Sequence, residues 1–523
     1  MSGTGTFLWT FLRRDKWMLL AWVSGGLMLY LATVYSVDQL YATQADYDAA
    51  AASMEGNAAF VAMAGPARGL DTLGGQTAWQ TTAFGAIVAA LMSMFLIGRH
   101  TRVEEESGRD ELLRASAVGR YAPMTAAVLV AALANLVLGL LVSVGLTAYG
   151  LAAADSFGLG LGVTACGWVF TGTALIAMQL TASTRSAYGI AGTVIGVSYV
   201  LRAIGDVGNG VLSWASPIGW YQAMHQFSGL RWWPMLLMLT GAAAALAAAY
   251  SLFARRDYGS GVFAARPGPA RAPRGLLSGI GLAWRLHRGA VLGWAGAMFF
   301  AGLAYGAIGD DVESLIGDSE TSRDMFVQSG DDLVTGFYGT SILMLAVICA
   351  VFAISSAQRP RSEEEATHLE VLLATALPRR RWLLGHVLLT VAGSAAVLVL
   401  SGLGLGAGYL LVTGDGAAAW DITWPVLQYV APVLVLSGVA RLLFGVLPRW
   451  TVLAWLPLVF AAVVMLFGEL FQLPQWLQDV SPFEHLPMVP AEDFAWGPVL
   501  GVGLVAALLS VAGQLAFARR DVH

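Results

Sequence analysis

Two runs of three glutamates are the most concentrated chemistry in this chain. Glu104-Glu105-Glu106, with Arg102 before it and Glu111-Leu112-Leu113 and Arg120 after it, recurs as Glu363-Glu364-Glu365 with Arg361, Glu370-Val371-Leu372 and Arg379, 259 residues later (363 − 104 = 259). Carboxylates at the start of a short helix are favoured by the unpaired N–H groups of its first turn. Leu112 and Leu113, or Val371 and Leu372, would give the same helix an apolar face on the next turns. Such a helix, held at a membrane surface, can seat in a groove of another protein; it can also be a solvated surface helix without a partner. Its duplication at equivalent places favours the partner.

The elements that must position these segments are membrane spans. Of 523 residues 57% are apolar and only 12% charged, against about 25% charged in soluble globular proteins. Apolar runs of roughly 20 residues, long enough to cross a hydrocarbon core, recur near 17–37, 79–98, 123–149, 158–181, 187–205, 233–254, 286–307, 338–357, 383–412, 423–446, 450–470 and 495–518. Backbone groups in lipid must be satisfied within their own segment, so the runs predict an all-α, polytopic bundle of about twelve helices. The basic residues set its orientation: of the 29, all but Arg68, Arg202, Arg231 and Arg323 fall on one side if the N-terminus is cytoplasmic. Both termini are then cytoplasmic. Phe7, Leu8, Phe11 and Leu12 beside Arg13, Arg14 and Lys16 predict a short helix lying on the inner surface before the first span. No small-residue cleavage site follows it, so this is not a removable signal.

The repeat extends along the whole chain. Phe253-Ala254-Arg255-Arg256-Asp257 returns as Phe517-Ala518-Arg519-Arg520-Asp521, Ser216-Pro217 as Ser481-Pro482, Trp214 as Trp476, and Arg13 to Trp22 as Arg285 to Trp294. Matching features in unchanged order indicate duplication. The expected organisation is a first six-helix half over 1–258, a linker over 259–278 with Pro267, Pro269 and Pro273, and a second six-helix half over 279–523. Both halves start on the same side, so they are parallel repeats about an axis along the membrane normal. Short Trp- and Pro-containing stretches in 206–232 and 471–494 predict interfacial or re-entrant helices at the outer end.

Other polar residues are few. Arg202 has Asp206 one turn later on the same helix face, and Glu469 holds a similar place in the second half. Ionisable groups at membrane depth are functional candidates, here an external gate; the alternative is a local, snorkelling ion pair. Asn135 and His386 read as hydrogen-bonders between helices, and Cys166 and Cys349 as packing residues. His100 and His368 have no metal-site spacing. Asp310, Asp311 and Glu313, in the acidic segment 310–332, lack the glycine and alternation of a calcium loop, and a solvated external face is expected. Gly402-x-x-x-Gly406, with Gly404 and Gly408, fits close helix packing. The only lysine is Lys16, at the membrane surface, which excludes a phosphate-binding loop that needs a lysine. The net charge of −5 gives no reason to expect a nucleic acid partner.

The Glu-rich connection between spans two and three (102–120 and 361–379), the surface helix before span one and the short helices before span six resemble type-2 ABC exporter permeases. The resemblance is nearest to the fused, two-half subgroup described as exporters of polyketide-type antibiotics. It implies that each connection is a coupling helix docking on an ATPase subunit, through Glu104, Glu105, Glu106, Glu111 and Leu112 in one half and Glu363, Glu364, Glu365, Glu370 and Val371 in the other. It further implies two copies of that ATPase, which would hold ATP and Mg while this chain binds no cofactor. The cargo would be a hydrophobic or amphipathic small molecule such as an antibiotic or drug, moved out through the plasma membrane. The second copy departs from the first in replacing Ser107-Gly108 by Ala366-Thr367 and Gly119 by Pro378, so the two docking surfaces need not be identical. Two other classes compete. A proton-coupled transporter of the major-facilitator kind predicts buried acids and a basic signature where the glutamates stand. A polytopic enzyme acting on lipid-linked substrates would need 310–332 as its acid cluster.

Overall fold

In a computed structural model of the chain, the described residues are 3–54, 58–108, 118–257, 259–263, 270–308, 333–375, 377–467 and 474–521. No strand occurs among them, and twelve helices are long and apolar enough to cross a membrane. The chain is a multi-pass, all-helical membrane protein. It divides into two compact units, Met1–Gly268 and Pro269–His523. Glu111, Leu112, Glu469 and the segment 310–332 lie outside the described residues.

In the first unit the surface helix Thr4–Arg14 precedes the spans Lys16–Leu40, Leu73–His100, Ala122–Tyr149, Ala153–Leu180, Thr184–Val207 and Trp233–Arg255. The surface helix buries Phe11 and leaves Trp9 exposed, as an amphipathic segment should. Asp15 ends it: its own backbone leaves the helical region, and its buried carboxylate lies 3.1 Å from Arg99 and 2.8 Å from His100. The second and fourth spans form the centre, 72% and 78% buried over their most apolar windows, whereas the first and sixth are 17% and 22% buried and keep their apolar faces outward. Helices apolar all round are expected where both lipid and protein neighbours are apolar. The second span begins earlier than hydropathy predicts, at Leu73, because the Thr72 side chain accepts the Gly75 N–H and starts the helix among polar residues.

The second unit holds the spans Gly279–Gly306, Leu333–Ala357, Arg379–Thr413, Gly416–Val446, Pro448–Met465 and Trp496–Arg519. His287 occupies the place that Asp15 has in the first unit, counting from Arg13 and Arg285, and the helix runs through it unbroken. The tenth span is broken: a helix over Gly416–Thr423 passes through a 3-10 segment, Trp424–Tyr429, into Val430–Val446. Pro425 lacks the N–H that an α-helix needs there and sits in the first turn of the 3-10 segment. Two glycine pairs set the closest packing, between the seventh and ninth spans. A methyl group at Gly404 would lie 2.0 Å from the Phe299 carbonyl oxygen, and one at Gly306 would lie 1.8 Å from that of Leu405.

The short segments before the last span of each unit differ. Ser216 caps the helix Pro217–Gln222 by accepting the Ile218 and Gly219 N–H groups. Ser481 accepts only the Phe483 N–H, at 3.4 Å, and a series of turns follows. Among the described residues neither segment is long enough to cross.

Candidate functional site

Both Glu-rich connectors continue the second span of their unit after a break. In the first unit the connector helix is Arg102–Glu106, and its three glutamates go to three different elements. Glu104 accepts a 2.8 Å hydrogen bond from Arg14 of the surface helix. Glu105 accepts two from Arg256, at the end of the sixth span, at 2.7 and 2.8 Å, and a third from the Gly259 N–H at 2.8 Å. Glu106 accepts the Thr184 N–H at 2.9 Å, in the first turn of the fifth span, where a carboxylate meets the positive end of the helix. Arg102 is buried beneath them. It donates to the Met178 carbonyl at 3.0 and 2.6 Å and lies 3.1 Å from Glu105.

The second unit repeats the central part of this design on its own residues. In the connector helix Arg359–Glu365, Glu364 accepts from Arg520, at the end of the twelfth span, through both oxygens at 2.9 Å. Glu363 is 2.9 Å from Arg359 and 3.1 Å from His368, and Glu365 is 3.0 Å from Arg361. The two arginines that close the connections also match: Arg120 donates to the Phe253 carbonyl at 3.1 Å, and Arg379 to the Arg520 carbonyl at 2.9 Å. Arg256 lies over the Phe253 ring and Arg520 over Phe517. Each unit therefore clamps its connector to its last span by a buried carboxylate–guanidinium pair: two nitrogens of Arg256 meet the two oxygens of Glu105, the strongest geometry such a pair can adopt, whereas a single nitrogen of Arg520 serves both oxygens of Glu364.

Those clamps sort the sequence-derived candidates into two sets. Glu105, Glu363 and Glu364 have side chains less than a tenth exposed, Glu104 is 13% exposed, and all four turn into their own bundle. Glu106, Glu370 and Val371 are exposed, as is Glu365, whose side chain is 61% exposed. In the second unit a short helix, His368–Leu373, follows the connector. It buries Leu369 against Trp382, Leu383, Phe444 and Phe517 while Val371 points away, 72% exposed. The arginine partners were missed in the sequence. The signal was present, since the Glu-rich segment and the Phe-Ala-Arg-Arg-Asp tail are duplicated together.

A bend of opposite backbone hand ends each connector helix. Gly108 has φ +73°, and Thr367, at the equivalent position, has φ +60°. Only glycine enters this region freely, and a β-branched residue there is strained.

Of the other candidates, Arg202 is fully buried. It donates to the Met63 carbonyl at 3.0 Å, lies 3.5 Å from Asp206 and stacks over Tyr199, while Ser213 donates to Asp206 at 2.5 Å. This is a local ion pair that ties the helix Ala58–Ala64 and the 3-10 turn Leu212–Ala215 to the fifth span. Asn135 donates to Ser93 at 2.9 Å and so bridges the third and second spans. His386 is 2.9 Å from His287, which is 2.9 Å from Ser356, so it too bonds between helices. No group of three or more metal-binding side chains occurs among the described residues.

Comparison with known proteins agrees with this architecture. Residues 276–518 match the family described as the multidrug efflux system permease Rv1217c, C-terminal domain. Over its full length the chain is 38% identical to the multidrug efflux system permease protein Rv1217c of Mycobacterium tuberculosis (strain ATCC 25618 / H37Rv), and the match covers 96% of that protein.

Proposed function

Because this chain belongs to the multidrug efflux system permease family, we propose that it is the membrane subunit of an ATP-driven exporter of hydrophobic or amphipathic small molecules, worked by a separate ATPase. The observation that carries this reading is the clamped connector, built twice. A segment held rigidly against the last span at one end of each unit, with acidic and apolar side chains left outward, suits a handle for an external motor. Two handles suit two copies of the motor. The lone lysine, Lys16, leaves no phosphate-binding loop of the usual type in this chain, so ATP and Mg belong on the partner.

On this reading the connectors face the cytoplasm with both termini, in the plasma membrane, as the basic residues of the short loops favour. The docking contacts are Glu106 in the first unit and Glu365, Glu370 and Val371 in the second; Glu111 and Leu112 are assigned to docking by the sequence resemblance alone. Glu104, Glu105, Glu363 and Glu364 hold the handle in place. The buried Arg202–Asp206 pair serves as a fixed pin at the opposite end, because each of its groups already has a partner within the unit.

The test is purification of the tagged chain in mild detergent. An ATPase is expected to accompany it, and Glu365→Lys with Val371→Glu is expected to release that partner from a folded permease. Full retention of the ATPase by this double variant, together with Glu106→Lys, would remove the docking assignment.

A further inference from the structure

The end of the second unit opposite its connector contains a cavity of ≈ 590 Å³, within the range of small-molecule sites, roughly 300–1,000 Å³. Its wall joins the start of the eighth span, the end of the ninth, the broken part of the tenth and the turn before the twelfth. Two aromatic pairs line it edge to face: Tyr338 with Tyr409, ring centres 5.5 Å apart, and Trp424 with Phe494, 5.3 Å apart. Three carboxylates complete the lining, Asp421, Glu492 and Asp493, and among the described residues no lysine, arginine or histidine contributes to it. Glu492 uses one oxygen to accept the Met488 N–H at 2.9 Å. Asp421 and Asp493 have no basic partner among the described residues.

We propose that this cavity binds an organic monocation with an aromatic or bulky apolar body. The chemistry is specific. Aromatic faces attract a large, weakly hydrated cation, and carboxylates at its mouth add Coulomb attraction that an anion would feel as repulsion. The rings that offer partly exposed surface are those of Trp424 and Phe494, with Tyr338 and Tyr409 buried behind them, and a small metal cation, strongly hydrated, would gain little from them. At the corresponding end of the first unit a cavity of ≈ 40 Å³ is lined by Arg68 and His225, so among the described residues the two units differ there in size and charge. Placing the site on the outer side, where cargo would pause before release, rests on the exporter reading; the binding chemistry does not.

The test uses the full chain in lipid nanodiscs without ATP, with tetraphenylphosphonium as the probe and tetraphenylborate as its anion of matching shape. Saturable binding of the cation, weakened about tenfold or more by Asp421→Asn with Asp493→Asn, is expected. Trp424→Ala should weaken it as well, while Trp424→Phe and the charge-keeping pair Asp421→Glu with Asp493→Glu should retain it. Absence of saturable cation binding, equal binding of the borate, unchanged binding by the Asn pair, or equal loss in the Glu pair would each overturn the site. Because no ATP is present, these outcomes are separate from whether ATP drives transport.

Discussion

At the scale of single residues, the connector shows how one position can carry either strain or freedom. Thr367 at φ +60° pays a steric penalty that Gly108 avoids in the same bend. Replacing Thr367 by glycine removes about 1–2 kcal/mol of strain and costs about 0.5–1 kcal/mol in chain entropy. Thr367→Gly is therefore expected to raise the thermal midpoint of the purified protein slightly, and Gly108→Thr to lower it. The clamp gives a sharper expectation. Glu105 and Arg256 are both buried, at 6% and 4% side-chain exposure, so removing Glu105 leaves Arg256 without its counterion, whereas removing Arg256 leaves Glu105 beside Arg102, 3.1 Å away. Losing one partner of such a pair costs about 3–5 kcal/mol. Glu105→Gln alone is expected to destabilise strongly, and adding Arg256→Gln to recover part of the loss, a coupling that a double-mutant cycle in detergent melts would measure. Additive losses would mean that the pair is not a unit.

Among elements, the seventh and ninth spans depend on small residues that let backbones touch. Helices in lipid gain little from apolar burial as such, because lipid tails are equally apolar, so close packing matters more. The glycine run of the ninth span was legible as a packing motif in the sequence, but not its two sides. Gly404 and Gly408 face the seventh span, while Gly402 and Gly406 face Thr423 and Val426 of the broken tenth span. Gly404→Leu is expected to separate the seventh and ninth spans and to lower the folded yield, whereas Gly503→Leu, where a side chain meets open space, should leave it unchanged; size-exclusion profiles of the two variants decide this. The surface helix of the first unit was equally legible. Its lack of a separate counterpart before the seventh span was not: the helix Gly279–Gly306 runs unbroken through His287, which stands where the first unit has Asp15.

For the whole molecule, two units built alike present two connectors, and on the exporter reading proposed above work would be applied at both. If an ATPase supplies it, efflux of a fluorescent cargo from cells expressing the permease and its partner will continue when the proton gradient is collapsed with ATP maintained. It will stop when ATP is depleted. The reverse pattern would favour a gradient-driven transporter and leave the connectors as structural elements only. From the sequence, the glutamates of the duplicated polar segments are all assigned to a partner. Glu104, Glu105, Glu363 and Glu364 turn into their own unit, while Glu106, Glu365 and Glu370 are exposed together with Val371.

Class, span number and duplication could be read from the residues alone, because the hydrocarbon core imposes one simple requirement on each segment independently of its neighbours: enough apolar residues to cross, with the backbone bonded internally. The pairing of the charges could not. Glu105 and Arg256 are 151 residues apart, and Glu364 and Arg520 are 156 apart. A carboxylate finds its partner only when distant helices have packed, so only the tertiary structure separated the glutamates that hold the connector from those it leaves on display.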